Sequence, residues 1–125
     1  MLKGIIEEES FPDRSVLDLV EIVSSEKEKH SEDTECSVWT IDKVLIKEDY
    51  EGVLKKLSEG MEEEWNAFFW DDKYIYILFS NKIFKLANKD PLDPKEYKEV
   101  AEYALKEHYI GHDFWEGLRD KMNSW

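Results

Sequence analysis

The sequence is poor in cysteine and has no long apolar run. Its single cysteine, Cys36, excludes a disulfide within the chain and suits a reducing compartment, so we expect a cytoplasmic protein. No segment approaches the roughly 20 apolar residues that a membrane-spanning helix needs. Three glutamates follow Ile6, where a signal peptide would continue its apolar core, so no signal peptide is predicted.

Positive charge is also scarce. Lys and Arg number 17 against 30 Asp and Glu, which gives a net charge of -13. A nucleic-acid backbone or an anionic membrane would be repelled, so neither is expected as a partner. The excess of acidic residues is unevenly distributed along the chain, since residues 1–36 carry 11 acids and 4 bases. The N-terminal third is therefore predicted to be the acidic pole of the molecule.

Residues with catalytic chemistry are few and form no nucleophile–base pair. Cys36 has only His30 near it in the sequence, which predicts a solvated loop thiol rather than a nucleophile. Asp71 and Asp72 are adjacent, and paired acids can divide the roles of acid and base. Because neighbouring side chains in a tight turn point apart, we interpret them as turn residues. The sequence predicts no cofactor and favours a protein without catalytic activity.

A histidine pair near the C-terminus is the one pattern that could bind a metal. His108 and His112 are spaced i,i+4, with Glu107 and Asp113 beside them, and such histidines on one helix can chelate an ion. Gly111 lies between them and is expected to end the helix first, so the spacing loses its geometric meaning. We therefore predict that His108 packs, that His112 caps a helix end, and that no metal binds.

The chain is rich in apolar and aromatic side chains. Hydrophobic residues make up 42% of it, with five Trp, six Tyr and six Phe, which predicts a folded chain despite 38% charged residues. Its 125 residues suit one domain spanning residues 1–125.

The apolar residues concentrate in residues 64–87, which predict a three-stranded antiparallel meander. Strands are expected over residues 65–70, 74–79 and 82–87, separated by two short polar breaks, Asp71-Asp72 and Ser80-Asn81. Asp and Asn tolerate the left-handed backbone of hairpin turns. The middle strand is apolar on both sides, so it is predicted to be central and covered on both faces.

The turn lengths decide which side chains share a face. If both loops hold two residues, Phe68, Ile75 and Leu86 form one row of a core face. The opposite face is apolar but also carries phenol and indole groups and a lysine. Its members are Trp65, Ala67, Phe69, Tyr74, Tyr76, Leu78, Ile83 and Lys85.

Further strands are predicted before the meander. Residues 3–8 form a short strand, and residues 13–18 a turn followed by a strand from about residue 19. Residues 24–35 are nearly all polar, so they are a loop or a solvated hairpin end. Residues 38–46 form a strand rich in β-branched side chains.

The helices flank the meander. One is predicted over residues 49–59, ended by Gly60 as a left-handed cap, and a third, short one over residues 114–122. The second begins where Asp93 caps and Pro94 takes the first position, with Glu96 completing a capping-box-like pair. The sequence thus predicts a single α+β domain, with a mainly antiparallel sheet of about five to six strands and two to three helices packed on one side.

Several segments resemble a group of small acidic prokaryotic proteins of unassigned function. They are Gly4-Ile5-Ile6-Glu7-Glu8, Trp65-Asn66-Ala67-Phe68-Phe69-Trp70 with the hairpin after it, and the closing segment that reaches Asp113-Phe114. The resemblance implies a similar fold over most of the chain and supplies no active site.

Surplus aromatic residues and the acidic pole together predict an interaction surface. A domain this small cannot bury every aromatic side chain, and exposed aromatics ringed by acids suit a protein partner. The candidate residues are Trp65, Tyr74, Tyr76, Glu7, Glu8 and Glu9. The predicted function is a non-catalytic interaction module, of inhibitor, immunity or adaptor type, that binds a basic protein. The alternatives are a small-molecule-binding domain that uses the aromatic sheet face and, third, a small enzyme.

Overall fold

The computed structural model describes residues 1–29, 38–63, 65–89, 93–107, 122, 123 and 125. They form one six-stranded sheet in the order β2-β3-β1-β4-β5-β6, with every neighbouring pair antiparallel. The strands are β1 Leu2–Glu7, β2 Glu21–Lys29, β3 Val38–Ile46, β4 Ala67–Trp70, β5 Tyr74–Phe79 and β6 Lys82–Ala87. Two 3₁₀ helices, Glu8–Ser10 and Arg14–Leu19, follow β1, and the α-helices are α1 Tyr50–Gly60 and α2 Pro94–Glu107. The predicted α+β class with a mainly antiparallel sheet is confirmed.

The meander β4-β5-β6 has the predicted strand order but one unexpected turn. Ser80-Asn81 forms the two-residue loop between β5 and β6, and Asn81 adopts a left-handed φ of 59°, which asparagine tolerates. Between β4 and β5 the last pair is Trp70 with Ile75, so the condition of a two-residue loop is not met there and the row of Phe68 with Ile75 does not form. The Asp71 carboxylate widens this turn, because its Oδ1 accepts the N–H groups of Lys73 and Tyr74, each at 2.8 Å.

The wider turn moves the β4–β5 register by two residues, which leaves the side-chain faces unchanged. Phe68 lies opposite Ile77 instead of Ile75, but all three still point to the same side of the sheet. The predicted division of the meander into two faces is therefore correct, although its cross-strand row is not.

Both faces of the sheet are covered, so packing of the helices on one side was a wrong detail of the prediction. Val53, Leu54 and Leu57 of α1 pack with the cluster that contains Ile6, Phe69 and Leu78. Val100 and Ala104 of α2 pack with the cluster that contains Ile75, Ile77 and Phe79. The physical reason is β5 itself, since both rows of its side chains are apolar and each needs a cover.

The helix ends follow the sequence signals in part. Asp93 caps α2 as predicted, because its Oδ1 accepts the N–H groups of Lys95 at 2.9 Å and Glu96 at 3.4 Å. The Glu96 carboxylate does not complete a capping box, since it accepts the Ala87 N–H of β6 at 3.3 Å. Gly60 is not a left-handed cap either: it is the last residue of α1, and none of the described glycines has a positive φ.

The polar segment after residue 24 continues as strand rather than loop. β2 pairs with β3 as far as Lys29, with a bulge between Ile22 and Ser24. The predicted third helix, the histidine pair and Cys36 lie outside the described residues, apart from Met122 at the predicted helix end. Among the described residues no helix is long and apolar enough to cross a membrane.

Candidate interaction site

The candidate site begins where β1 ends. After Glu7 the chain turns into the first 3₁₀ helix. Two hydrogen bonds stabilise this helix: Ser10 Oγ donates to the Glu7 carbonyl at 2.5 Å, and the Phe11 N–H donates to the Glu8 carbonyl at 3.1 Å. The Phe11 side chain is fully buried and anchors the turn in the core. This turn holds Glu8 and Glu9 at the end of the β1–β3 pair.

The second 3₁₀ helix places a positively charged side chain next to Glu8 and Glu9. Asp13 accepts the Ser15 N–H at 3.0 Å and the Ser15 hydroxyl at 2.6 Å, and so starts the second 3₁₀ helix. Arg14 then lies with Nη1 3.3 Å from Glu8 Oε1 and Nη2 3.7 Å from Glu9 Oε2. Its side chain is 51% exposed, so Glu8 and Glu9 hold one guanidinium at the surface.

A buried acid lies beneath Glu8. Asp42 of β3 is fully buried, opposite Ile6 of β1 and Ser25 of β2. The Ser25 hydroxyl donates to Asp42 Oδ1 at 2.5 Å, while Asp42 Oδ2 has no donor among the N–H and O–H groups of the described residues. The Glu8 carboxyl lies within hydrogen-bonding range of Asp42.

The surroundings of Glu8 favour its protonated form. Burial raises the pKa of the Glu8 carboxyl above its ordinary value, and the hydrogen bond and negative charge of Asp42 raise it further. The guanidinium of Arg14 opposes these effects and lowers the same pKa. The pKa of Glu8 therefore depends on two neighbours with opposing effects, Asp42 and Arg14.

Two tryptophans lie next to the acids. Glu9 accepts the backbone N–H of Thr40 on β3, and the preceding residue is Trp39. The rings of Trp39 and Trp65 meet edge to face with their centroids 5.1 Å apart. A 2.8 Å bond from Glu62 N–H to the Ser10 carbonyl fixes the chain just before Trp65 to the 3₁₀ turn.

We name this site the acidic corner and define it by six residues. They are Glu8, Glu9, Arg14, Trp39, Asp42 and Trp65.

The structure brings together only part of the predicted interaction surface. Trp65, Glu8 and Glu9 share the acidic corner, whereas Glu7 belongs to β1, opposite Ile41, with its side chain half-buried. Tyr74 is 38% exposed but starts β5 at the other end of the sheet, where Lys85 Nζ lies 4.0 Å from its ring centroid.

Tyr76 is a core residue. Its side chain is 8% exposed and packs in the cluster under α1. The sequence pattern gave Tyr76 and Tyr74 the same face, which is correct, but it could not show that α1 covers Tyr76 and stops short of Tyr74. We do not retain Tyr76 as a residue that contacts a partner.

Sequence reasoning missed Arg14, Trp39 and Asp42 as site residues. For Asp42 a signal was present: in the strand Val38–Ile46 it is the acid in the row with Val44 and Ile46, which are fully or almost fully buried. A charged residue in a buried row is costly unless it is paired, so it points to a partner or a function. No local signal would have placed Arg14 over Glu8, because the contact depends on the path of two 3₁₀ helices.

A surface cavity lies at the opposite end of the sheet. It has a volume of about 370 Å³ and is lined by Met1, Lys3, Trp70, Asp71, Asp72 and Lys73. Asp71 serves the β4–β5 turn, as described above. No group of three or more metal-binding side chains occurs among the residues that the structure describes.

Comparison with known proteins assigns no family. No protein-family model, curated protein or solved structure matches the chain. The resemblance to small acidic prokaryotic proteins therefore stays a prediction, and function has to be argued from the acidic corner.

Proposed function

We propose that this protein is a non-catalytic interaction module of the cytoplasm, and that it binds a basic protein through the acidic corner. The observation that carries the proposal is the position of the Arg14 guanidinium between Glu8 and Glu9. Glu8 and Glu9 hold this guanidinium at the surface, so the corner already has the charge and spacing that a cationic side chain requires.

The tryptophan pair adds a second mode of recognition. Trp39 and Trp65 are half-buried at the same end of the sheet as Glu9, and an indole face attracts guanidinium and ammonium groups by cation–π interaction. Arginine combines a planar donor fork for carboxylates with stacking on aromatic rings, so an arginine side chain of the partner fits the corner best. The net charge of -13 would steer a basic protein toward the module before contact.

The cavity beside Trp70 supports a second candidate function, the binding of a small molecule. Lys3 and Lys73 line it together with Asp72, which suits a ligand that carries both charges. A ligand of this kind would bind at the end of the sheet opposite the acidic corner. The two candidate functions are therefore separated by where binding is observed.

The proposal is tested by mapping a defined cationic probe on the protein. A six-residue arginine peptide with blocked ends is titrated into isotope-labelled protein, and binding is followed by NMR at about 150 mM salt, where weak contacts between exposed charges are screened. We expect the indole N–H signals of Trp39 and Trp65 and the carboxyl signals of Glu8 and Glu9 to move together. Tyr74, at the far end of the sheet, should not respond.

Matched variants separate the corner from general negative charge. Replacing Glu8 and Glu9 by Gln removes two carboxyl groups from the corner, and replacing Glu99 and Glu102 by Gln removes two from exposed positions of α2. The first double variant should weaken peptide binding about tenfold or more, since it removes two charge-assisted hydrogen bonds, and the second only slightly. Equal losses, or signals that move all over the surface, would contradict the proposal.

A further inference from the structure

We propose that Glu8 and Asp42 hold one proton between them in the free protein, and that a cationic side chain of the partner displaces this proton when it docks on Glu8. The first half concerns the isolated chain. The second half rests on the proposed function, and it makes binding of the basic partner weaker as the pH falls.

The geometry at Asp42 requires a donor. The side chain is fully buried, and Ser25 satisfies Oδ1 but leaves Oδ2 without a donor among the described N–H and O–H groups. Two carboxylates cannot form a hydrogen bond with each other, because neither carries a hydrogen. Glu8, which lies in hydrogen-bonding range, supplies the donor once it is protonated. One proton thus provides a hydrogen bond to the buried Asp42 Oδ2 and avoids the free-energy cost of leaving that oxygen unsatisfied.

The charged groups around the pair agree with this assignment. Arg14 is the cation in contact with Glu8, at 3.3 Å, and Glu9 adds a second negative charge beside it. On the same side of the sheet as Asp42, Lys27 of β2 lies opposite Thr40 and is exposed. Ser25 and Ile6, the strand neighbours of Asp42, are neutral. One half-exposed arginine therefore serves two glutamates, and no ion pair to Asp42 occurs in the part of the chain that the structure describes.

A partner's cation changes the balance at Glu8. Burial and Asp42 favour the neutral acid, whereas a positive charge at Glu8 favours the carboxylate. A second guanidinium or ammonium group that reaches Glu8 therefore ionises it, and the proton leaves to solvent. By linkage, binding that releases a proton becomes tighter as pH rises through the pKa of Glu8 and weaker as pH falls.

The isolated protein tests the shared proton. Carboxyl carbon NMR should show Glu8 titrating above the ordinary glutamate range, and Asp42→Asn should lower that pKa. Arg14→Gln should raise it further. A Glu8 signal that titrates in the ordinary range, or that does not respond to Asp42→Asn, would overturn the shared proton.

Thermal unfolding at several pH values gives a second readout, and two variants of Glu8 differ in the expected result. Glu8→Gln keeps a donor for Asp42 at every pH, whereas Glu8→Ala removes it. A raised pKa in the folded state means that the contribution of Glu8 is present at low pH and is lost as pH rises through that pKa. Glu8→Gln should therefore gain Tm relative to wild type as pH rises from about 4 to about 7. Glu8→Ala should have a lower Tm than wild type below the pKa of Glu8, where wild type still donates to Asp42, and this difference should shrink as pH rises. A Tm difference between wild type and Glu8→Gln that does not change with pH would overturn the assignment.

Calorimetry with the blocked arginine peptide tests the displacement. Titrations in two buffers of low and high protonation enthalpy report the protons released, which should approach one per peptide bound at a pH well below the pKa of Glu8 in the free protein and above its pKa in the complex. The release should vanish in Glu8→Gln and persist in the Glu99→Gln/Glu102→Gln control. Binding at the corner without proton release would overturn the displacement and leave the proposed function standing. Absence of binding at the corner would overturn the proposed function together with the displacement, while the NMR titration would still decide the shared proton.

Discussion

At the scale of single residues, close packing decides which positions accept change. Gly4 on β1 is buried and lies opposite Phe69 of β4, whose ring fills the space where a Cβ would be. The Gly4 carbonyl also accepts the indole N–H of Trp125 at 2.9 Å, so the backbone here is held from both sides of the sheet. Gly4 is needed because a neighbour comes close, and its φ is not positive.

Gly4→Ala should therefore destabilise the fold. A Cβ would overlap Phe69 Cδ1 and Cε1, and overpacking of this kind costs about 1–3 kcal/mol. Denaturant unfolding measures the loss, and Phe69→Leu in the Gly4→Ala background should recover part of it. An unchanged free energy of unfolding would contradict the packing described for β1 and β4.

Gly60→Ala is the matched control at the end of α1. A Cβ there would lie 3.7 Å from Val16 Cγ2, which is an ordinary contact, and alanine favours helix over glycine by about 1 kcal/mol. This substitution should leave the free energy of unfolding unchanged or raise it. A loss as large as that of Gly4→Ala would show that the effect does not depend on the neighbour.

At the scale of elements, the sequence predicted the strand bounds and the helix start that depend on neighbouring residues in the chain. β3, β5 and β6 have the predicted bounds, since their runs of β-branched and aromatic residues are bounded by polar turns. α2 starts where Asp93 and Pro94 indicate. The length of the β4–β5 turn was not predicted because it depends on hydrogen bonds that the Asp71 carboxylate accepts, and the opposite placement of α1 and α2 depends on tertiary packing that no single segment encodes.

The Asp93 cap gives a prediction for α2. The N–H groups of Lys95 and Glu96 lower the pKa of the Asp93 carboxyl below its ordinary value. A lowered pKa in the folded state contributes stability above the ordinary aspartate range, and this contribution is lost as pH falls through the folded pKa. Asp93→Ala should therefore lower Tm at pH near 7, and the difference from wild type should shrink toward pH 2.

Asp93→Asn separates the hydrogen bonds from the charge. Asparagine caps helices about as well as aspartate, so this variant should keep most of the Tm at pH near 7 and show less dependence on pH. If both variants lowered Tm equally at pH near 7, the cap would act through charge alone. If neither changed Tm, the start of α2 would not depend on this cap.

At the scale of the whole molecule, the fold brings the residues of the acidic corner to one end of the sheet. The acidic N-terminal third was readable from the sequence, and so was the presence of surplus aromatics. The sequence could not show which aromatic residues lie near the acids, because this depends on the strand order. β1 lies between β3 and β4, and this order brings Trp39, Glu9 and Trp65 to the same end of the sheet. Tyr74 and Tyr76 were equally good candidates until the topology and α1 separated them.

The most direct test of this account is the binding kinetics of a basic protein that immobilised wild-type protein retains from cell lysate at low salt. Rim charges act mainly on association, and a buried aromatic anchor acts mainly on dissociation. Glu8→Gln/Glu9→Gln should lower the association rate constant and flatten its salt dependence, while Trp65→Ala should raise the dissociation rate constant by a factor that corresponds to about 2 kcal/mol. Tyr74→Ala should change neither. If no basic protein is retained, or if the variants of the acidic corner behave like Tyr74→Ala, the acidic corner is not an interaction site.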